Sequence, residues 1–263
     1  MGQKSVLITG GAKRIGQAIA LAFARGGWNV AVHYGSSREA ALDTVKQLQA
    51  LGVQAIALQA DLAVEAQTAL LVSESLAAFG RLDAVVNNAS RFEMDVARDF
   101  SYEKLMAHMR PNLAAPVVLA RELHRLLPVS GAGGASGVVI NLLDQKLFNY
   151  NPDFLSYTLS KAGLQAATVM LAQALAPKVR VVGVAPGITM TSGDQTAMGF
   201  EKAHTATPLG RSSTPDDVAR TCLFVAESPA ITGTTIVVDG GQHLAPSSRD
   251  VMFLTGADGR SGT

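Results

Sequence analysis

The chain has 263 residues, 48% of them hydrophobic and 16% charged, a formal net charge of +1 and one cysteine. So apolar a composition supplies a large core and argues against disorder, while the near-neutral charge excludes a general nucleic-acid binder, which needs a basic excess to meet phosphates. The lone Cys222 excludes an intramolecular disulfide and a cysteine metal cluster; set in the apolar run 221–225, it is expected to be a core thiol, and no metal is expected.

The first apolar run, residues 5–9, follows the start directly, without the layout of a secretory signal. Met1-Gly2 lacks the hydroxyl residue a myristoylation signal needs, because Val6 stands there. No run approaches the roughly 20 apolar residues of a membrane span. A soluble, cytoplasmic protein is expected.

In chain order, strand 5–9 leads to helix 15–25, strand 29–34 to helix 38–50, and strand 54–59 to helix 64–79. Strand 84–87 then leads to helix 102–126, strand 137–142 to helix 154–176, and strand 179–184 to helix 215–227, before a last strand at 235–238. Several strands lack a polar face, which suits strands covered on both sides of a parallel sheet. The expected fold is therefore α/β, a doubly wound (Rossmann) sheet of seven parallel strands with helices on both faces. Residues 1–244 read as one domain and 245–263 as a C-terminal tail, in which Val251-Met252-Phe253-Leu254 is an apolar cluster in need of a partner surface. The glycine-rich run 130–136 reads as a connector.

Thr9-Gly10-Gly11-Ala12-Lys13-Arg14-Ile15-Gly16 follows the first strand and opens the first helix. Glycines there let the backbone approach a pyrophosphate, and helix-start amides favour its charge, so Gly10, Arg14, Ile15 and Gly16 are candidate dinucleotide ligands. The second strand ends His33-Tyr34-Gly35-Ser36-Ser37-Arg38, with no carboxylate before Glu39 to bind a ribose diol. Arg14, Ser37 and Arg38 can instead hold a 2′-phosphate, which favours NADP(H) over NAD(H); Arg38 also reads as an ordinary solvated residue of a first helical turn. His33, Tyr34 and Ser36 belong to the same candidate cofactor edge. Asp61-Leu62, after the third strand, can accept from the adenine amino group, cap a helix, or do both. Asn88, Ala89 and Ser90 follow the fourth strand, where small residues let the chain pass close to a cofactor.

Tyr157 and Lys161 are four residues apart, so a helix puts them on one face. A neighbouring ammonium is expected to lower the phenol pKa and tune Tyr157 for proton transfer. Alone, this pair is a weak signal.

Together these pieces resemble the short-chain dehydrogenase/reductase family over about residues 5–244, through the glycine turn, Asp61, Asn87-Asn88-Ala89, Asn112, Tyr157 with Lys161, Pro186-Gly187, Ile231-Thr232-Gly233 and Val238-Asp239-Gly240-Gly241. Where that family usually has a serine after the fifth strand, this chain has Asp144. That departure, with Lys13-Arg14, His33-Tyr34 and Asn88-Ala89-Ser90-Arg91-Phe92, is similar to the pteridine reductases and to the bacterial dihydromonapterin/dihydrofolate reductases. The resemblance implies Tyr157 as proton donor, Lys161 on the nicotinamide ribose, Asn112 in a proton relay beside Lys161, and Asp144 as substrate holder or relay. It implies Phe92 stacking on a flat substrate, Ser90 on the substrate edge or a cofactor phosphate, and Pro186, Gly187 and Ile188 along the nicotinamide. It also implies a variable substrate lid in 190–208, a homotetramer, and a C-terminus packed across an interface. Two other readings stay open: a reductase of another carbonyl or imine, and an NADP(H)-binding regulatory protein without turnover. Asp144 and Phe92 speak against the first, and intact Tyr157, Lys161 and Asn112 against the second.

Overall fold

Runs of Val, Ile, Leu and Ala too apolar to face water on either side form the inner strands of a parallel sheet. The computed structural model describes residues 2–127, 137–191 and 196–254. The elements run β1 (Ser5–Ile8), α1 (Arg14–Arg25), β2 (Asn29–Tyr34), α2 (Arg38–Ala50), β3 (Ala55–Gln59), α3 (Glu65–Phe79) and β4 (Ala84–Asn87). They continue with α4 (Tyr102–Met109), a π-helical turn (Arg110–Ala114), α5 (Ala115–Leu126), β5 (Gly137–Leu142), a 3₁₀ turn (Gln145–Phe148), α6 (Leu155–Ala174) and β6 (Val179–Pro186). The chain then forms α7 (Ala197–Thr205), α8 (Pro215–Glu227), β7 (Thr235–Val238), a second 3₁₀ turn (Gln242–Leu244) and a short helical turn, α9 (Val251–Leu254).

The strands pair in the order β3-β2-β1-β4-β5-β6-β7, all parallel. The doubly wound α/β fold expected from the alternation is the fold observed. Successive residues alternate between two cores: Val6 and Ile8 join Ile19, Phe23, Leu48 and Val218 on one face, while Leu7 joins Leu71, Leu119 and Leu123 on the other. The chain moves outward from β1 to β3 and then returns to place β4 on the other side of β1. That reversal opens a crevice beyond the C-terminal ends of β1 and β4, where open α/β sheets bind ligands.

Three differences from the expected elements have physical causes. The single helix at 102–126 is interrupted by the π turn, because Pro111 and Pro116 remove backbone donors from the run. Helix α7 forms inside the 190–208 segment, where Thr196 caps it by accepting from Gly199 N at 3.0 Å. Strand β6 extends to Pro186, carrying the chain two residues further toward the crevice. The 130–136 connector and the end of the tail from 255 lie outside the described residues. Among the described residues no helix is long and apolar enough to cross a membrane, and no group of three or more His, Cys, Asp or Glu side chains could hold a metal ion.

Candidate active site

The first turn is built by close approach. Gly10 has φ +62°, and a Cβ on Gly16 would lie 2.1 Å from the Gly10 carbonyl oxygen, so no larger residue fits there. Asn88 ties β4 to this turn, its Nδ2 donating to Thr9 O at 2.9 Å and Gly10 O at 3.2 Å. Arg14 opens α1 with φ +55°, a costly conformation for a residue other than glycine, and donates through Nη2 to Thr191 O at 2.8 Å. The glycine turn is thereby linked to the chain beyond β6.

His33 is 2% exposed. Gly10 N donates to its Nδ1 at 3.1 Å, and its Nε2 stands 3.1 Å from Ala60 O, an arrangement that assigns the proton to Nε2. Burial lowers its pKa, more than the Ala60 bond raises it, and favours the neutral ring. His33 therefore shapes the turn from behind. Tyr34 is likewise buried, whereas Ser36 and Arg38 are exposed and Ser37 half-buried at the end of β2. Asp61 is exposed; its Oδ1 accepts from Ala63 N at 2.9 Å and its own N donates to Gln67 Oε1 at 2.8 Å, which are the contacts of a helix entry. Leu62 packs at the margin of the second core.

A second cluster of the residues singled out by sequence lies at the end of β5 and the start of α6. Helix α6 starts at Leu155, where the buried Asp95 accepts from Ser156 N at 2.9 Å and from the Ser156 hydroxyl. Within the first turn, Tyr157 Oη donates to Asp144 Oδ2 at 2.7 Å, and Asp144 Oδ1 accepts from Lys146 N at 2.8 Å. Lys161 Nζ donates to Leu142 O at 2.7 Å and lies 5.8 Å from the Tyr157 ring centroid. Phe92 meets Tyr157 edge-on at 4.7 Å and stacks on Phe154 at 4.3 Å. Phe154, the residue before α6, has a left-handed backbone, φ +55°.

The expected lowering of the Tyr157 pKa by Lys161 is corrected here. Burial first, and then the charge and hydrogen bond of Asp144, push the Tyr157 phenol well above its usual range. The carboxylate rests on the phenol oxygen, while the Lys161 ammonium is spent on a carbonyl. Burial also raises the Asp144 carboxyl, against the bonds from Lys146 N and Tyr157, and lowers Lys161 to about 8. The pair thus favours its protonated forms, and Lys161 is a weakened cation.

Asn112, in the π turn, is 1% exposed. Its Oδ1 accepts from Arg91 N at 2.8 Å, and its Nδ2 donates to Arg91 O at 2.9 Å and Ser160 Oγ at 3.0 Å. These are the bonds of a clamp on the loop that carries Phe92.

A cavity of about 510 Å³ gathers the two halves. Of the residues singled out by sequence, Gly10, Arg14, Ile15, Gly16, Asn88, Ala89, Ser90, Phe92, Asp144, Tyr157, Lys161, Pro186, Gly187 and Ile188 line it. Asn112, His33, Tyr34, Ser36, Ser37, Arg38, Asp61 and Leu62 do not. Its wall also includes Lys146, Gln242 and Asp250, which sequence reasoning missed. Lys146 resembles any solvated lysine after a strand, and Asp250 lies in a polar tail; only the apolar cluster after Asp250 hinted that the tail packs.

A family profile described as Enoyl-(Acyl carrier protein) reductase matches residues 10–243. The chain belongs to the short-chain dehydrogenase/reductase family. Members of this family are oxidoreductases, and Tyr157 and Lys161 both line the cavity. Among curated relatives, an uncharacterized oxidoreductase of Methylorubrum extorquens is 35% identical over 246 residues, covering 90% of this chain and 97% of its own. The 3-oxoacyl-[acyl-carrier-protein] reductase FabG of Staphylococcus aureus is 31% identical over 255 residues, covering 92% and 98%. Among solved structures, the FolM alternative dihydrofolate reductase 1 of Brucella canis, complexed with NADP, superposes with a TM-score of 0.84 at 37% identity, covering 92% of this chain and 94% of that one. Its Brucella suis counterpart, also in complex with NADP, gives the same score and identity.

Proposed function

We propose that this protein is an NADPH-dependent reductase of pterin-type substrates, taking a dihydropteridine or dihydrofolate to its tetrahydro form. The observation that carries the reading is the Asp144 carboxyl bonded at 2.7 Å to the Tyr157 hydroxyl beside Phe92. Asp144 becomes negative only as its proton moves on to Tyr157, and that charge opposes an oxyanion developing on a ketone beside it. An amidine-like ring presents N–H donors, which a carboxylate accepts. The likeness to the Brucella FolM proteins supports the same choice.

The residues present suit NADP(H). Gly10 and Gly16 let the turn close tightly at the start of α1, where helix-start amides favour a pyrophosphate, and the end of β2 offers Ser36, Ser37 and Arg38, with Arg14 in the turn itself, rather than a carboxylate. Asp61 and Leu62 are assigned to the adenine end, Asn88, Ala89 and Ser90 to the middle, and Pro186, Gly187, Ile188, Tyr157 and Lys161 to the nicotinamide end. NADPH, when bound, supplies the hydride. Tyr157 gives the proton to the adjacent ring nitrogen, and protonated Asp144 restores the Tyr157 hydroxyl across their shared hydrogen bond. The tyrosinate never has to persist beside a carboxylate, and Lys161 stays near the new Asp144 charge. Phe92 offers a flat face, and Ser90 is assigned to the substrate edge. A homotetramer is part of the proposal, supported by exposed apolar side chains such as Met170 and Leu159 on the outer face of α6.

The test is NADPH oxidation with dihydrobiopterin, dihydromonapterin and dihydrofolate, beside ketones and a 3-oxoacyl thioester. Turnover of pterins well above ketones is expected. Thioester or ketone turnover without pterin turnover sinks the reading, and NADPH binding without any turnover favours a regulatory protein. Tyr157→Phe should lose at least about 100-fold in turnover while still binding NADPH.

A further inference from the structure

We propose that Asp250, brought to the cavity by the folded-back C-terminal segment, is a specificity-determining residue that accepts from the exocyclic amino group of the substrate. The proposal rests on the pterin reading and names the group the tail recognises.

The segment is latched to the site at several points. Arg249 Nε donates to both oxygens of the buried Asp153, at 2.9 and 3.1 Å, and Asp250 N donates to Asp153 Oδ2 at 2.7 Å. The Arg249 guanidinium lies 5.1 Å from the Phe253 ring centroid. Phe253 stacks on Phe154 at 6.1 Å, and Phe154 stacks on Phe92. Lys146, 3% exposed, donates to Asp153 O at 2.6 Å and pairs with Asp250 Oδ2 at 3.3 Å. Backbone and carboxylate of Asp250 are thus both positioned by residues buried around the catalytic helix.

The Asp250 side chain keeps 20% exposure and lines the same cavity as Asp144, Tyr157 and Phe92. Its charge pushes both Asp144 and Tyr157 upward, so it stands within electrostatic reach of the reacting pair. A carboxylate beside an aromatic face favours a flat ring that carries N–H donors and disfavours an anionic or acceptor-only edge. With Asp144 engaged in proton transfer with Tyr157, Asp250, held by Lys146, is the cavity carboxylate assigned to the substrate amino group. Arg249, Asp153 and Lys146 are positioning residues.

The experiment compares wild type, Asp250→Asn and Arg249→Ala with two dihydropteridines, one with and one without the exocyclic amino group, following NADPH oxidation. With the amino-bearing substrate, Asp250→Asn should raise KM about tenfold with kcat nearly unchanged, as expected for one lost charge-assisted hydrogen bond. With the substrate lacking that group, wild type and Asp250→Asn should have equal KM. Arg249→Ala should follow the same pattern more weakly. An unchanged KM, an equal rise for both substrates, or a fall in kcat alone overturns the assignment, and leaves the pterin reading standing if wild type turns over the amino-bearing substrate. Absence of that turnover in wild type overturns both. NADPH affinity and the unfolding midpoint, measured on each variant, verify that it is folded.

Discussion

The proposed proton path between Asp144 and Tyr157 rests on a carboxyl and a phenol, both disfavoured as anions by burial, that meet at 2.7 Å. Lys161 is the titrating cation beside them, with its pKa lowered to about 8 by burial. It is charged below that pH and neutral above it. If it binds the cofactor ribose as an ammonium, KM for NADPH should rise as pH passes upward through about 8, in a pH series of initial rates; a flat KM to pH 9.5 would remove Lys161 from cofactor binding. At this scale the sequence was legible wherever function rides on local spacing. Tyr157 and Lys161 meet because a helix brings positions four apart together, and Asp144 is visible because it ends a strand. Lys146 with Asp250, and Asp95 with Ser156, meet across 104 and 61 residues, and no local pattern encodes such pairs. The direction of the Tyr157 shift was illegible for a related reason: it depends on which charge lies nearer the phenol oxygen.

Helix α8 shows how an element is specified at its ends. Thr214 accepts from Asp217 N at 3.2 Å, Asp217 accepts from Thr214 N at 3.0 Å, and Pro215 follows the cap. Burial alone would raise the Asp217 carboxyl; the bonds from Thr214, then Arg211 and Arg220, outweigh it and hold the group well below the usual carboxylate range. A carboxyl depressed in the folded state contributes stability that is present above its unfolded pKa of roughly 4 and fades as pH falls below that. Thr214→Ala should therefore cost about 1 kcal/mol in urea unfolding at pH 7, with a smaller difference at pH 3; an equal cost at both would show that Asp217 adds nothing to the cap. All seven strands were readable from apolar runs, β6 short of its last two residues. Helix α7 was not readable as a bounded helix, because its weak apolar pattern needs the packing partners that the fold supplies. The π turn was hidden for a similar reason: prolines mark a disturbance without saying how the backbone repairs it.

At the scale of the whole molecule, the order β3-β2-β1-β4-β5-β6-β7 places the turn after β1 and the ends of β4, β5 and β6 around one crevice. Cys222 reports on that architecture. It is 0% exposed in the core that joins α1 and α8 to the sheet, and burial pushes its thiol up to about 12. A thiol so placed reacts only when the core opens. Labelling by a water-soluble disulfide reagent should be negligible in the native protein and complete in denaturant, with a midpoint matching loss of helical circular dichroism. Rapid labelling without denaturant would contradict the packing of α8 on the sheet. The alternation of strands and helices made this layout legible from the sequence; the tail's return to the crevice was not, because its anchor, Asp153, is an ordinary loop aspartate until Arg249 reaches it.

Asp144 is the residue on which the functional account turns, and Asp144→Ser tests it most directly. The measurement is kcat/KM for dihydrobiopterin and for a ketone panel, with wild type and variant side by side. The account predicts that the variant loses about 100-fold or more on the pterin while ketone reduction holds or rises. Undiminished pterin reduction by Asp144→Ser would contradict it.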